Sequence, residues 1–211
     1  MPDSCRNVYP ILGFMVAIAI VATSLMMPVF AQVDATFAQL PVQEQITLQD
    51  GQATVSGSDG QFTGRVLVDA PLSTAWQVVT DYNNFDQFLP TVETSQLLES
   101  TGNRRVFEQV NVVRIFPITR RSRVVIAATL SYPQQIDFNL VEGDLNTLQG
   151  IWQFEAVSPS AGAPPNQVLI THQVAVTPKG GGLIRGLFFN TYRNVLEDTM
   201  SALKQESERR I

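Results

Sequence analysis

One cysteine, one histidine and a low density of charge set the first limits on this chain of 211 residues. The cysteine, Cys5, lies ahead of an apolar run, so neither an intrachain disulfide nor a cysteine metal site can form. His172 is the single histidine, and no second ligand of suitable kind and spacing accompanies it, so the pattern of a bound metal is missing. Charged residues make up 16% against 45% hydrophobic, the balance of a folded chain. The net charge of −5 removes the basic surface on which general nucleic-acid binding depends. No internal repeat is present. No nucleophile with a base and no pair of carboxylates falls on a shared face, because Asp81, Asp86, Glu142 and Asp144 sit in predicted corners as solvated turn residues. Catalysis has little support, and no cofactor is expected.

The apolar residues are concentrated first at the N-terminus. A short polar start with one basic side chain, Arg6, precedes the apolar run 11–30. Val29-Phe30-Ala31 fits the small-x-small rule of signal cleavage, and Ala38 offers a weaker second site. The run is also long enough to span a bilayer, although Thr23, Ser24 and Pro28 weaken a permanent anchor. Residues 1–31 are therefore expected to be a signal peptide or N-terminal membrane anchor, with the rest on the exported side: periplasmic, lumenal or secreted. Cys5 precedes the run instead of ending it, which argues against a lipoprotein. Residues 32–60, rich in Gln, Ala, Thr, Val, Ser and Gly, read as a largely irregular linker, with 46–55 as a candidate edge strand. The remainder fits one domain with a single core.

The most informative stretch is 69–90, DAPLSTAWQVVTDYNNFDQFLP. It follows the alternating run 60–68, a strand. Leu72, Ala75, Trp76 and Val79 recur at the spacing of one helix face, and Pro71 suits a first helical turn. The helix gives way at Asp81-Tyr82-Asn83-Asn84, residues that favour turns. A second short turn with Phe85, Phe88 and Leu89 ends at Pro90. Beyond it, strands are expected over 92–98, 105–116, 121–132, 135–141, 147–157 and 167–177, joined by short turns as an antiparallel meander. A long helix over 183–208 closes the chain, with Phe188, Tyr192, Val195, Thr199 and Leu203 as its apolar stripe. The open face of the sheet is the surface available to bury that stripe.

This order, together with DAPLSTAWQVVTDYNNFDQFLP, VEGDLNTLQGIWQFEAV and NTYRNVLEDTMSALKQESE, resembles the START-like superfamily, often called SRPBCC, and within it the coenzyme Q-binding and polyketide-cyclase-type domains. The resemblance covers 61–208. It implies an α+β helix-grip fold: a curved antiparallel sheet wrapped around the long C-terminal helix, with two short helices after the first strand. It also implies a hydrophobic ligand held between sheet and helix, although lipid carriers, quinone chaperones and ring cyclases share that chamber and the fold alone does not choose.

A chamber of roughly 300 Å³, left empty, costs about 24 cal/mol per Å³ or ~7 kcal/mol, a large share of a typical stability of about 5–15 kcal/mol. Side chains, water or a guest must fill it. Phe107, Phe116, Phe138, Trp152, Phe154, Phe188 and Tyr192 are available as filling, each an ordinary core residue or a ligand contact, and Trp76, Phe85 and Phe88 line or close the same space. His172 alternates with Val168, Ile170, Val174 and Val176 on the apolar face. It reads either as a polar handle or proton donor in the chamber, or as a core histidine satisfied by a carbonyl or a tyrosine. Arg104, Arg105, Arg114, Arg120, Arg121 and Arg123 face one acid, Glu108, across a single predicted hairpin. Arg114, Phe116, Ile118, Arg120 and Arg121 thus suggest contact with a membrane surface; the plainer reading is a solvated strand face. Three functions follow as expectations: non-enzymatic binding or transport of a lipid, quinone or similar molecule; a cyclase or dehydratase using His172 as acid/base; or an interaction protein without ligand.

Overall fold

The computed structural model describes residues 36–115, 118–159, 162–180 and 183–211. The expected leader or anchor over 1–31, together with Phe116, lies outside these residues, as do the side chains of Arg114 and Ile118.

Pro41 and Gly51 bracket the first helix, α1 (Val42–Gln49). Its end is a Schellman closure: Gly51, at φ 79°, donates to the Leu48 carbonyl and Gln52 to that of Thr47. Asp59 and Gly60 then adopt φ values of 55° and 87°, the pair of positive angles that a two-residue Asp-Gly hairpin turn requires. The turn joins β1 (Thr54–Ser58) to β2 (Gln61–Val68). The expectation of a largely irregular linker over 32–60 is corrected here: a helix, a turn and an edge strand occupy most of its described part. The candidate strand 46–55 is helical up to Gln49, and Thr54–Ser58 is the strand. Ile46 and Leu48 alternate as strand residues would, but Leu48 is buried against Phe37, Leu67, Val157 and Leu169, and this contact selects the helix.

Two short helices follow β2 as expected, α2 (Leu72–Val79) and α3 (Phe85–Phe88). Pro71 caps α2 from just outside it, and Ala75, Trp76, Val78 and Val79 are buried. The six later strands are β3 (Val92–Thr101), β4 (Arg104–Ile115), β5 (Ile118–Ser131), β6 (Gln135–Gly143), β7 (Leu145–Val157) and β8 (Gln167–Pro178). They complete an antiparallel eight-stranded sheet in the order β1-β2-β8-β7-β6-β5-β4-β3. The sheet is open and curved, and α4 (Leu183–Arg209) packs on it in a START-like helix-grip arrangement.

The inner face carries the main core. Phe62, Val66 and Val68 of β2, Phe107 of β4, Ile136 and Phe138 of β6, and Ile170, Val174 and Val176 of β8 belong to one cluster with Leu196, Met200 and Leu203 of α4. Burying a side chain of that size contributes about 1.5–3 kcal/mol. The stripe on α4 differs from the expected one by one position: Leu196 and Met200 are buried, whereas Val195 and Thr199 are half-buried. The rotation follows from Gly64, where an added Cβ would lie 3.0 Å from Met200 Cγ and 3.3 Å from Leu196 Cγ. The helix settles where a side chain is missing from the strand.

The C-terminal end of α4 is tied to the Asp81–Asn84 corner. Arg210 pairs with Asp81 at 2.8 Å and with the buried Glu206 at 2.6 Å, and its guanidinium lies 5.5 Å over the Phe88 ring. Asn83 accepts from the Leu97 amide, so the corner is fixed on the strand side too.

Candidate functional site

One row of residues crosses the inner face from Gly64 of β2 through His172 of β8 and Trp152 of β7 to Ile136 of β6, each directly opposite the next. The alternation of β8 turns His172 inward, as the sequence implies. Its ring stacks on Trp152, with centroids 3.7 Å apart, and on Phe138 at 5.3 Å. Phe138 can lie there because Gly150, opposite it, has no side chain; a Cβ would fall 3.0 Å from the end of the ring and 1.9 Å from the Gln173 carbonyl oxygen.

His172 is buried, and its Nδ1 has no hydrogen-bond partner among the described residues. Burial pushes the imidazole down to about 3, opposed only in part by the Ile151 backbone. The ring is therefore neutral at pH 7. Burial likewise drives the hydroxyls of Tyr82 and Tyr192 above the usual phenol range. These three groups are thus uncharged and available only for hydrogen bonding.

The aromatic residues predicted to contact a ligand share this continuous core, but their ring contacts fall into four groups. Trp76 meets Phe154 at 5.1 Å and the exposed Tyr132 at 5.2 Å, near α2. Phe85 meets Phe88 and Phe107 below the corner, where Tyr82 stacks on Phe107 at 4.2 Å. Phe188 and Tyr192 join Phe62 and Phe189 where the first half of α4 crosses β2. The fourth group is Phe138, Trp152 and His172. Tyr82, Tyr132, Phe62 and Phe189 are the members not expected from the sequence. Tyr82 follows Val78 and Val79 at helical spacing, and Phe62 continues the alternation of Val66 and Val68. Both signals were present, and the turn residues around Tyr82 masked the first.

Coverage of the inner face is uneven. α4 packs on β1, β2, α2 and α3, and α2 packs on β7 and β8. Trp152, Leu140, Phe188 and Tyr192 are only partly buried against the core. A polar cleft of about 360 Å³ opens instead between the corner and the end of α4, lined by Asp81, Phe88, Glu206, Arg209 and Arg210. Its charges are already paired with one another, so it offers little to a ligand.

The arginine hairpin is less bare than its sequence suggests. Arg104 pairs with Glu99, Arg121 with Glu93, and Arg123 with both Glu108 and Glu142. The expected six cations against one acid are corrected by acids from β3 and β6, of which Glu93 and Glu142 are distant in sequence and adjacent in the sheet. Arg120 has no partner among the described residues. No helix among the described residues is long and apolar enough to cross a membrane, and no group of three or more His, Cys, Asp or Glu is placed there to hold a metal ion.

Residues 68–200 match the family described as polyketide cyclase / dehydrase and lipid transport. No curated protein matches the chain. Among solved structures, the STAR-related lipid transfer protein from Xanthomonas axonopodis is 21% identical, with a TM-score of 0.58 over 74% of this chain and 92% of that one. The Zhui aromatase/cyclase from Streptomyces sp. R1128 is 18% identical, with a TM-score of 0.57 over 71% and 94%. A START superfamily protein from Mycobacterium smegmatis is 16% identical, with a TM-score of 0.51 over 72% and 96%. At these identities the likeness is one of fold.

Proposed function

The chain belongs to the polyketide cyclase / dehydrase and lipid transport family, and on that footing we propose that it binds and carries a hydrophobic small molecule, a lipid, quinone or similar, against the inner face of the sheet without chemical change. One observation carries the reading: an unpartnered buried polar atom, His172 Nδ1, set in an apolar wall beside the half-buried Trp152. A buried polar group without a partner costs about 1–3 kcal/mol. A guest hydroxyl donating to Nδ1 would recover that loss, while its apolar body covers Trp152 and Leu140.

The same histidine argues against a cyclase or dehydratase. A general acid/base works best with a pKa near the operating pH, and burial holds this one at about 3. An interaction protein without ligand would have no use for an unpartnered nitrogen inside its core. We place the carrier on the exported side of a membrane, a reading supported by the apolar run 11–30 and the Val29-Phe30-Ala31 site.

Native mass spectrometry of the purified chain, followed by organic extraction, tests the proposal. A co-purifying hydrophobic molecule is expected, and its loss from Trp152→Ala. A ligand-free chain from several expression hosts would contradict it. For the exported side, a mature N-terminus at Gln32 or a membrane-bound chain is expected; an unprocessed chain in the cytosolic fraction would contradict it.

A further inference from the structure

The β4–β5 hairpin runs past the rest of the sheet. β6 ends at Gly143, opposite Val124, whereas β4 and β5 remain paired out to Ile115 and Ile118. β8 ends at the same edge, with Pro178 opposite Leu145 and Lys179 Nζ donating to the Gly143 carbonyl at 2.7 Å. α4 starts just beyond, so the hairpin and the first turns of α4 stand at one end of the inner face.

The inner side of that hairpin changes character along its length. Phe107 and Ile126, then Val124, are core residues. The register next places Gln109 opposite Val124, Asn111 opposite Ser122, and Arg120 one step further on the same side. The outer side is fixed independently by the Arg123–Glu108 pair and the Val106, Val125 and Ala127 cluster, so these four residues face inward. Same-face neighbours along a strand lie about 7 Å apart. Gln109, Asn111 and Ser122 are half-buried and Arg120 is exposed, and none has a side-chain hydrogen bond or ion pair among the described residues.

On the outer side of the same hairpin every arginine with a described side chain beyond Val110 is paired. Unpaired donors are thus concentrated on one face, next to an apolar wall. Two amides, a hydroxyl and a guanidinium share one capability: all donate to oxygen, and the guanidinium adds charge. Resting on the carrier reading above, we infer that this hairpin face is a headgroup site, and that the ligand is a single-chain lipid ending in an oxyanion, carboxylate or phosphate. The head lies on Asn111, Ser122, Gln109 and Arg120. The chain runs inward over Ile126 and Phe138 toward Trp152, where a hydroxyl borne along it would donate to His172 Nδ1.

Calorimetric titration of the full-length chain with dodecyl phosphate, dodecanoate and dodecanol tests this below their micellar concentrations. Charge-assisted hydrogen bonds are worth enough for about a tenfold preference for an oxyanion over the alcohol. Arg120→Gln is expected to remove most of that preference, and Asn111→Leu to weaken both oxyanions while sparing dodecanol. Tighter binding of dodecyl phosphate than dodecanoate would mark a lipid phosphate, and the reverse a fatty acid. Equal affinity for all three, or an oxyanion preference unchanged in Arg120→Gln, overturns the inference and leaves the carrier reading standing. Failure of all three to bind overturns both.

Discussion

The two faces of the sheet solve the same burial problem differently. On the outer face, α1 and the segment before it cover a small patch, Leu67, Val157 and Leu169, using Phe37 and Leu48. At its border Arg65 pairs with Glu44 at 2.8 Å and Thr54 donates to the same carboxylate at 2.9 Å, while Nε of Arg65 and one oxygen of Glu155 stay unpartnered among the described residues. On the inner face the core is larger, and Nδ1 of His172 and the Tyr82 hydroxyl are unpartnered within it. The faces therefore differ in what surrounds their spare polar atoms: an ion pair on the outer side, aromatic rings on the inner.

Substitutions can break this contrast, and the largest effect is expected on the outer face. Leu48→Ala should cost about 2–5 kcal/mol, because Leu48 is 1% exposed and its loss leaves a cavity. Chemical denaturation would measure it, and ligand affinity of the folded fraction should not change. A loss of affinity equal to that of an inner-face variant would erase the distinction between the faces.

Acid should act next, through the inner face. The unfolded chain takes up a proton on His172 near the usual pKa of about 6.5, and the folded chain only near 3. Stability from this residue is therefore complete above pH 6.5 and falls as pH drops through that window, by about 1.4 kcal/mol per unit. His172→Phe keeps an aromatic stack and should flatten the pH dependence of unfolding by that slope between pH 6 and pH 4. Identical slopes in both proteins would place the proton elsewhere.

Glu44→Gln should cost about 1 kcal/mol, since the pair with Arg65 is about one-fifth exposed on either side. Arg121→Ala should move stability by less than about 0.5 kcal/mol, because its side chain is 70% exposed. If Arg121 proved the more costly of the two, exposure would not set the worth of these two outer-face pairs.

The sequence made the inner face far more legible than the outer one, for reasons that lie in particular residues. Period-two alternation through Val168 to Val176 turned His172 inward, and helical spacing in α2 buried Trp76. Both signals are local, and the core reinforces them. The outer cover was misread because α1 is only eight residues long and buries a single side chain, Leu48. Its true markers were Pro41, Gly51 and the Asp59-Gly60 turn, which punctuate structure without showing any period. The rotation of the stripe on α4 depends on Gly64, 132 positions before Leu196, and no local pattern reports such a contact. The pairing of Arg121 and Arg123 is equally non-local, since Glu93 and Glu142 reach them only through strand order.

The central claim is that His172 Nδ1 is a neutral polar contact for a guest. Because the chain has a single histidine, nitrogen NMR of its imidazole gives one set of ring signals without assignment. The ring should stay neutral from pH 8 to pH 5, and its Nδ1 resonance should move when dodecanol is added. An imidazole titrating near pH 6.5, or an Nδ1 signal unmoved by dodecanol shown to bind, would contradict that claim.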